Sequence, residues 1–151
     1  DPLGMEGAPG QAPGLGWLDI DTTLEPDKRL RQVAGKLTVA PARVGGYEIH
    51  LGVTRGEALT RPLVHLDDGR SDGAVSEDGL VAGTYVHGLM DQAEALSAIL
   101  GWAGVPDAVA EDIGARREAD LNRLADAVER HLDLERLLGA AQAFDRRGLR
   151  S

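Results

Sequence analysis

The chain has 151 residues, is 42% hydrophobic and 27% charged, and is long enough for one domain with its own core. Its formal charge of −9 argues against a nucleic-acid partner, because a polyanion would be repelled and the basic residues are scattered, apart from the tail DRRGLR (Asp145 to Arg150). No apolar run approaches the ~18 residues of a membrane span, and the lack of cysteine removes disulfides, cysteine-based zinc sites and any thiol nucleophile from this chain.

No signal peptide is visible, so the expectation is a soluble cytoplasmic protein with no membrane partner. Aromatic residues make up 3%, which leaves Leu, Val, Ile and Ala to build the core. The opening DPLGMEGAPGQAPG is rich in Gly and Pro and reads as a loop or linker. A start at Asp1 without methionine is expected of a piece of a longer chain.

The first β-prone segment lies within GLGWLDIDTTL, with a strand predicted near Leu15 to Thr22. GKLTVAP (Gly35 to Pro41) alternates apolar and polar residues and predicts a second strand, ended by Pro41. GGYEIHLGVT (Gly45 to Thr54) predicts a third, with Tyr47, Ile49 and Leu51 on one face and Glu48, His50 and Gly52 on the other. Three Asp-Gly pairs follow, Asp68-Gly69, Asp72-Gly73 and Asp78-Gly79, each a turn signal between short apolar runs. They predict a set of hairpins, whose last run, Leu80 to Val86, delivers His87.

The period then changes. MDQAEALSAILGW (Met90 to Trp102) has helical spacing, with Asp91 placed to cap it, and Gly104-Val105-Pro106 breaks it. From Arg116 onward, Leu121, Leu124, Ala125, Val128 and Leu132 recur on one helical face, and Asp126 and Arg130 sit four apart on the polar side. Strands followed by helices predict an α/β or α+β body over residues 1–104 and a helical C-terminal extension over 105–151.

Several possible sites carry little chemistry. The acidic turns between Asp67 and Asp78 lack the ligand order and closing glutamate of a calcium loop. Asp19 and Asp21 share a strand face that reads as solvated. Ala34-Gly35-Lys36-Leu37 lacks the earlier glycine and the Ser/Thr of a phosphate-binding loop. Of the four histidines, His131 reads as a boundary residue of a helix and His65 as a strand residue without a companion. His50 and His87 differ, because each follows a tyrosine in an apolar run, Tyr47-Glu48-Ile49-His50 and Tyr85-Val86-His87. Ligands gather beyond the carboxyl ends of strands in α/β folds. Tyr47, Glu48 and His50 are therefore candidate substrate-binding residues and His87 a candidate catalytic one. On pattern alone, a histidine hydrogen-bonded at a loop fits better than a catalytic one.

The ordered set LGWLDIDTTLEPDKRLRQVAG, GGYEIHLGVT, DGAVSEDGLVAGTYVHGL and LNRLADAVERHLDLERLL resembles the C-terminal part of cobyric acid synthases. These are glutamine-dependent amidotransferases of cobalamin biosynthesis, and the likeness runs from Asp1 to about Leu138. The resemblance implies part of a class I glutamine amidotransferase domain, flavodoxin-like, with hairpins and a helical extension. It implies that His87, in the Tyr85-Val86-His87-Gly88 motif, is the histidine that assists a cysteine thiolate in attack on the glutamine side chain. Gly88 would leave the imidazole room, and the following helix would anchor the turn. It further implies that the nucleophile lies on an upstream part of the same protein, and that ATP and Mg serve a synthetase domain further upstream. This chain itself would bind no cofactor. The partners implied are glutamine and, through the whole enzyme, a corrinoid.

Triad amidotransferases carry His-Pro-Glu, whereas this chain reads His87-Gly88-Leu89. Either a Cys–His dyad operates or another acid such as Glu48 substitutes. The alternatives to a cobyric acid synthase are an amidotransferase for a lipid-linked peptidoglycan precursor and a non-catalytic binding module of the same fold. In isolation the chain would be inactive.

Overall fold

The computed structural model describes residues 1–106, 108 and 110–148. Two compact units divide the chain, Asp1–Asp112 and Ile113–Ser151.

A long hairpin dominates the first unit. Strand β1 (Asp21–Leu37) pairs antiparallel with β2 (Arg43–Arg55). The sequence predicted two separate strands here, near Leu15 to Thr22 and over Gly35 to Pro41. Instead one strand runs through the charged stretch EPDKRLR, because β2 pairs with β1 as far back as Asp21. Propensity gave no sign of this; cross-strand pairing overrides it. The register shifts between Leu24 and Arg29, where Pro26 takes a backbone donor out of the ladder.

Three short strands extend the hairpin into a sheet of order β4-β3-β1-β2-β7, comprising β3 (Val64–Leu66), β4 (Ser71–Asp72) and β7 (Val86–His87). A second small sheet pairs β5 (Ala74–Val75) with β6 (Ala82–Gly83). Two of the three Asp-Gly pairs form the predicted hairpin turns, whereas Asp72 ends a strand and Gly73 links it to the next without a hairpin. Asp68-Gly69 joins β3 to β4, Asp72-Gly73 carries the chain from one sheet to the other, and Asp78-Gly79 joins β5 to β6. All these pairings are antiparallel.

The run Leu80 to Val86 is not continuous. It divides into β6 and β7 because the buried Asp72 carboxylate grips the residues between them. It accepts hydrogen bonds from the Thr84 hydroxyl and from the Tyr85 backbone N–H at 3.2 Å.

The core is aliphatic, as the composition requires. Leu37, Val44, Val64, Leu66, Val86 and Ala95 meet at the closed end of the hairpin, with Val64 and Ala95 completely buried. Helix α1 (Ala93–Trp102) covers this end, later than the Met90 start predicted. The N-cap position falls on Gln92, one residue after the Asp91 predicted, and Gln92 makes no side-chain cap bond. The delay follows from a backbone reversal in which the Asp91 N–H donates to the Gly88 carbonyl at 3.0 Å. A Glu94 carboxylate oxygen accepts from the Arg43 N–H at 3.0 Å and ties α1 to the start of β2.

The second unit contains α2 (Ile113–His131) and α3 (Leu134–Gly148). Asp133 caps α3 by accepting from the Arg136 N–H at 2.9 Å. Arg130 and His131 stand in the last turn of α2, where positive charge suits the helix dipole. The stripe read from the sequence is present, yet Leu121 and Leu124 are exposed. Arg130 donates to the Asp126 backbone carbonyl at 2.9 Å.

Candidate functional site

Strand β2 presents the residues singled out from the sequence alternately to the two sides of the sheet. Tyr47 pairs across the strands with His87, and Glu48 with Val86. One face therefore carries Tyr47 and His87, both exposed. The opposite face carries Glu48 and His50. The partition into Tyr47 and Glu48 faces follows the predicted alternation, but the burial does not: Glu48 is 3% exposed and Tyr47 45%.

On the open face, the Tyr47 and His87 rings stack with centroids 5.1 Å apart and planes inclined by 11°. Two glycines make this possible. A Cβ at Gly46 would lie 2.1 Å from the His87 carbonyl oxygen, so only glycine lets β7 approach β2 here. Gly88 has φ +77°, in the left-handed region, and reverses the chain immediately after the imidazole. A Cβ at Gly88 would meet nothing closer than the Asp91 carboxylate at 3.4 Å. The sequence reading gave Gly88 the task of leaving space; its backbone conformation is the actual requirement.

The other face is a network of satisfied polar groups. Arg70 donates to both Glu48 oxygens, at 3.0 and 2.9 Å, and its Nε to Asp68 at 2.8 Å. The Arg70 hydrogen bonds and charge hold the Glu48 carboxyl below the usual glutamate range against the opposing effect of burial. They also hold Asp68 low, while Glu48 raises Arg70 further. His50 stacks on Tyr85 with centroids 4.0 Å apart, and its Nδ1 donates to the Gly52 carbonyl at 2.8 Å. That carbonyl can only accept, which fixes the proton on Nδ1. The Tyr85 and Thr54 hydroxyls are 2.8 Å apart.

A cavity of about 510 Å³ opens beside this network, lined among others by Leu18, Ile20, Leu59, Glu48, His50 and Tyr85. Its size and apolar walls suit a small-molecule site. His87 does not line it.

These positions correct one expectation. Glu48 and His50 do not reach the face of His87; β2 parity sends them to the opposite side, and only Tyr47 meets His87. His50 lies inside β2, which runs to Arg55 much as predicted. The rule about carboxyl ends of strands describes parallel sheets, and this sheet is antiparallel. His87 does end its strand. The sequence also gave no sign of Arg70, Asp72 and Tyr85 as site residues. Arg70 is 22 positions from Glu48, so only the fold brings them together.

The remaining acidic turns engage their carboxylates with side chains of the fold. Asp67 takes two hydrogen bonds from Arg43, at 2.8 and 2.6 Å, and Asp78 one from Ser76 at 2.6 Å. Ala34-Gly35-Lys36-Leu37 lies inside β1 with partners in β2 and β3, a strand geometry that cannot wrap a phosphate. These residues do not fit an ATP site.

Residues 1–95 match the family model of the CobB/CobQ-like glutamine amidotransferase domain. This defines the class as a glutamine amidotransferase domain of mixed α/β fold. The chain belongs to the CobB/CobQ-like family. The match takes in the seven strands, both ring pairs and the cavity, and ends within the first turn of α1. Among the described residues, no helix is long and apolar enough to cross a membrane.

Proposed function

We propose that this chain supplies the histidine half of a glutaminase site in an enzyme that amidates cobyrinic acid a,c-diamide to cobyric acid. The single observation that carries this is the exposed His87 imidazole at the end of β7, in a chain of the CobB/CobQ-like family. In this reading the nucleophile is a cysteine thiolate contributed from outside these 151 residues, which contain no thiol.

In this reading the thiolate attacks the side-chain carbonyl carbon of glutamine. Backbone amides beside the cysteine take the oxyanion. As the C–N bond breaks, His87 gives its proton to the departing nitrogen, and ammonia leaves a thioester behind. His87 then takes a proton from water, whose oxygen attacks the thioester. Collapse releases glutamate and restores the thiolate. Ammonia would then pass to a carboxylate of the corrinoid, for whose activation ATP and Mg would serve in a synthetase domain outside this chain. No ATP step is assigned to residues of this chain.

Glu48 is disfavoured as a third catalytic group, since Arg70 occupies both its oxygens on the face away from His87. A Cys–His pair fits better. The test is complementation. The chain is mixed with, or joined to, the cysteine-bearing segment, and glutamine hydrolysis is compared between wild type and His87→Ala. Turnover that requires both the cysteine and His87 supports the proposal. Turnover indifferent to His87 removes it.

A further inference from the structure

We infer that Tyr47 is the positioning residue for His87, and that its aromatic face does the orienting work a carboxylate performs in His-x-Glu amidotransferases. The inference rests on His87 being the reacting histidine and adds the group that holds its ring.

Four observations converge. Tyr47 and His87 are direct cross-strand partners, so their Cα atoms are held in register by the β2–β7 pairing. Their rings lie nearly parallel, at 11° and 5.1 Å, within the range of offset stacking. Both side chains are exposed, where an unsupported imidazole would sample several rotamers. Finally, among the described residues no hydrogen bond to the His87 ring accompanies the stack. His50, by contrast, has both a stacked tyrosine and a backbone carbonyl on Nδ1.

The chemistry asks for this kind of support. The imidazole must exchange a proton first with the departing nitrogen and then with water, so the ring nitrogen that carries that proton should stay accessible along the ring edge. A stacked partner fixes the plane of the ring without occupying either nitrogen. The Tyr47 face also tolerates the imidazolium formed midway, since a cation lies favourably over an aromatic ring.

The first test is NMR of the 151-residue chain, following the His87 Cε1–H and Cδ2–H resonances. Tyr47→Leu should move them downfield by removing the ring current, while Tyr47→Phe leaves them in place. The His50 resonances, shielded by Tyr85 on the other face, report that the sheet is intact. If His50 shifts as well, Tyr47→Thr, β-prone and without a ring, replaces the leucine variant. His87 resonances unmoved by ring removal would overturn the stack.

The second test uses the chain complemented with the cysteine-bearing segment. Tyr47→Leu should lower kcat for glutamine hydrolysis about tenfold, equivalent to ~1.4 kcal/mol, with KM within about twofold. Tyr47→Phe should restore most of the rate. A rise in KM at unchanged kcat would make Tyr47 a substrate-binding residue and overturn the inference. So would equal loss in the Phe variant, which would assign the work to the hydroxyl. Failure of the underlying reading looks different: His87→Ala would then leave turnover intact, whatever Tyr47 does to the resonances.

Discussion

Glu48 and Arg70 meet through two parallel hydrogen bonds of 3.0 and 2.9 Å, with the Glu48 side chain 4% exposed and the Arg70 side chain 33%. A carboxylate taken this far out of water persists because the guanidinium fork satisfies both its oxygens. The Asp68-Gly69 turn aims that fork, since Asp68 accepts from the Arg70 backbone N–H at 3.0 Å as well as from its Nε. Arg70→Ala should therefore cost on the order of 3–5 kcal/mol, by leaving Glu48 buried without its partner. The double variant Glu48→Leu with Arg70→Met should lose less than Arg70→Ala. Urea unfolding of the three chains decides; a double variant as unstable as the single one would show that the pair is not the source of the loss.

The same pair sets a pH dependence. Arg70 depresses the Glu48 carboxyl in the folded state below its ordinary value of about 4.5. A depressed carboxylate contributes its full stabilisation above that value and loses it as pH falls through the folded one. Stability should thus decline below about pH 4.5, and Glu48→Gln should flatten the decline. Parallel pH profiles for wild type and variant would assign the acid sensitivity to other carboxylates, with Asp67, Asp68 and Asp78 also held low.

Gly46 and Gly88 separate steric from conformational need. At Gly46 an added Cβ would strike backbone, the His87 carbonyl at 2.1 Å, so Gly46→Ala should release β7 from β2 and cost about 1–3 kcal/mol. At Gly88 the space is adequate and the cost is a left-handed φ, about 1–2 kcal/mol for alanine and less for asparagine. Amide exchange at Val86 and His87 distinguishes them: protection should fall sharply for Gly46→Ala. Equal protection in both alanine variants would contradict the assignment.

How much of this was legible in the residues varied with the range of the cause. The turns at Asp68-Gly69 and Asp78-Gly79, strand β2 and the two-face partition of Tyr47 and Glu48 are local, and the sequence displayed them. The span Thr23 to Ala34 was invisible as a strand because its order comes from pairing with β2, not from its own charged composition. The early start predicted for α1 failed because the Gly88 reversal takes up Asp91. Parity could separate Tyr47 from Glu48 but could not say which shares a face with His87; the register of a two-residue strand decides that. Arg70 and Asp72 escaped notice because their partners lie far along the chain.

The chain alone should release no ammonia from glutamine, even at high protein concentration and after removal of contaminating glutaminases, since it has no thiol to form the thioester. Activity that persists and is lost in His87→Ala would require a nucleophile of another kind.

The central claim, that His87 is the proton-transferring histidine of the glutaminase half-reaction, is tested most directly by one comparison in the complemented, synthetase-bearing enzyme. Amidation is measured for wild type and His87→Ala, first with glutamine and then with ammonium as nitrogen donor. The account predicts a loss of about 10²–10⁴-fold with glutamine and little change with ammonium. Equal losses with both donors would contradict it, by showing that His87 supports the structure and not the chemistry.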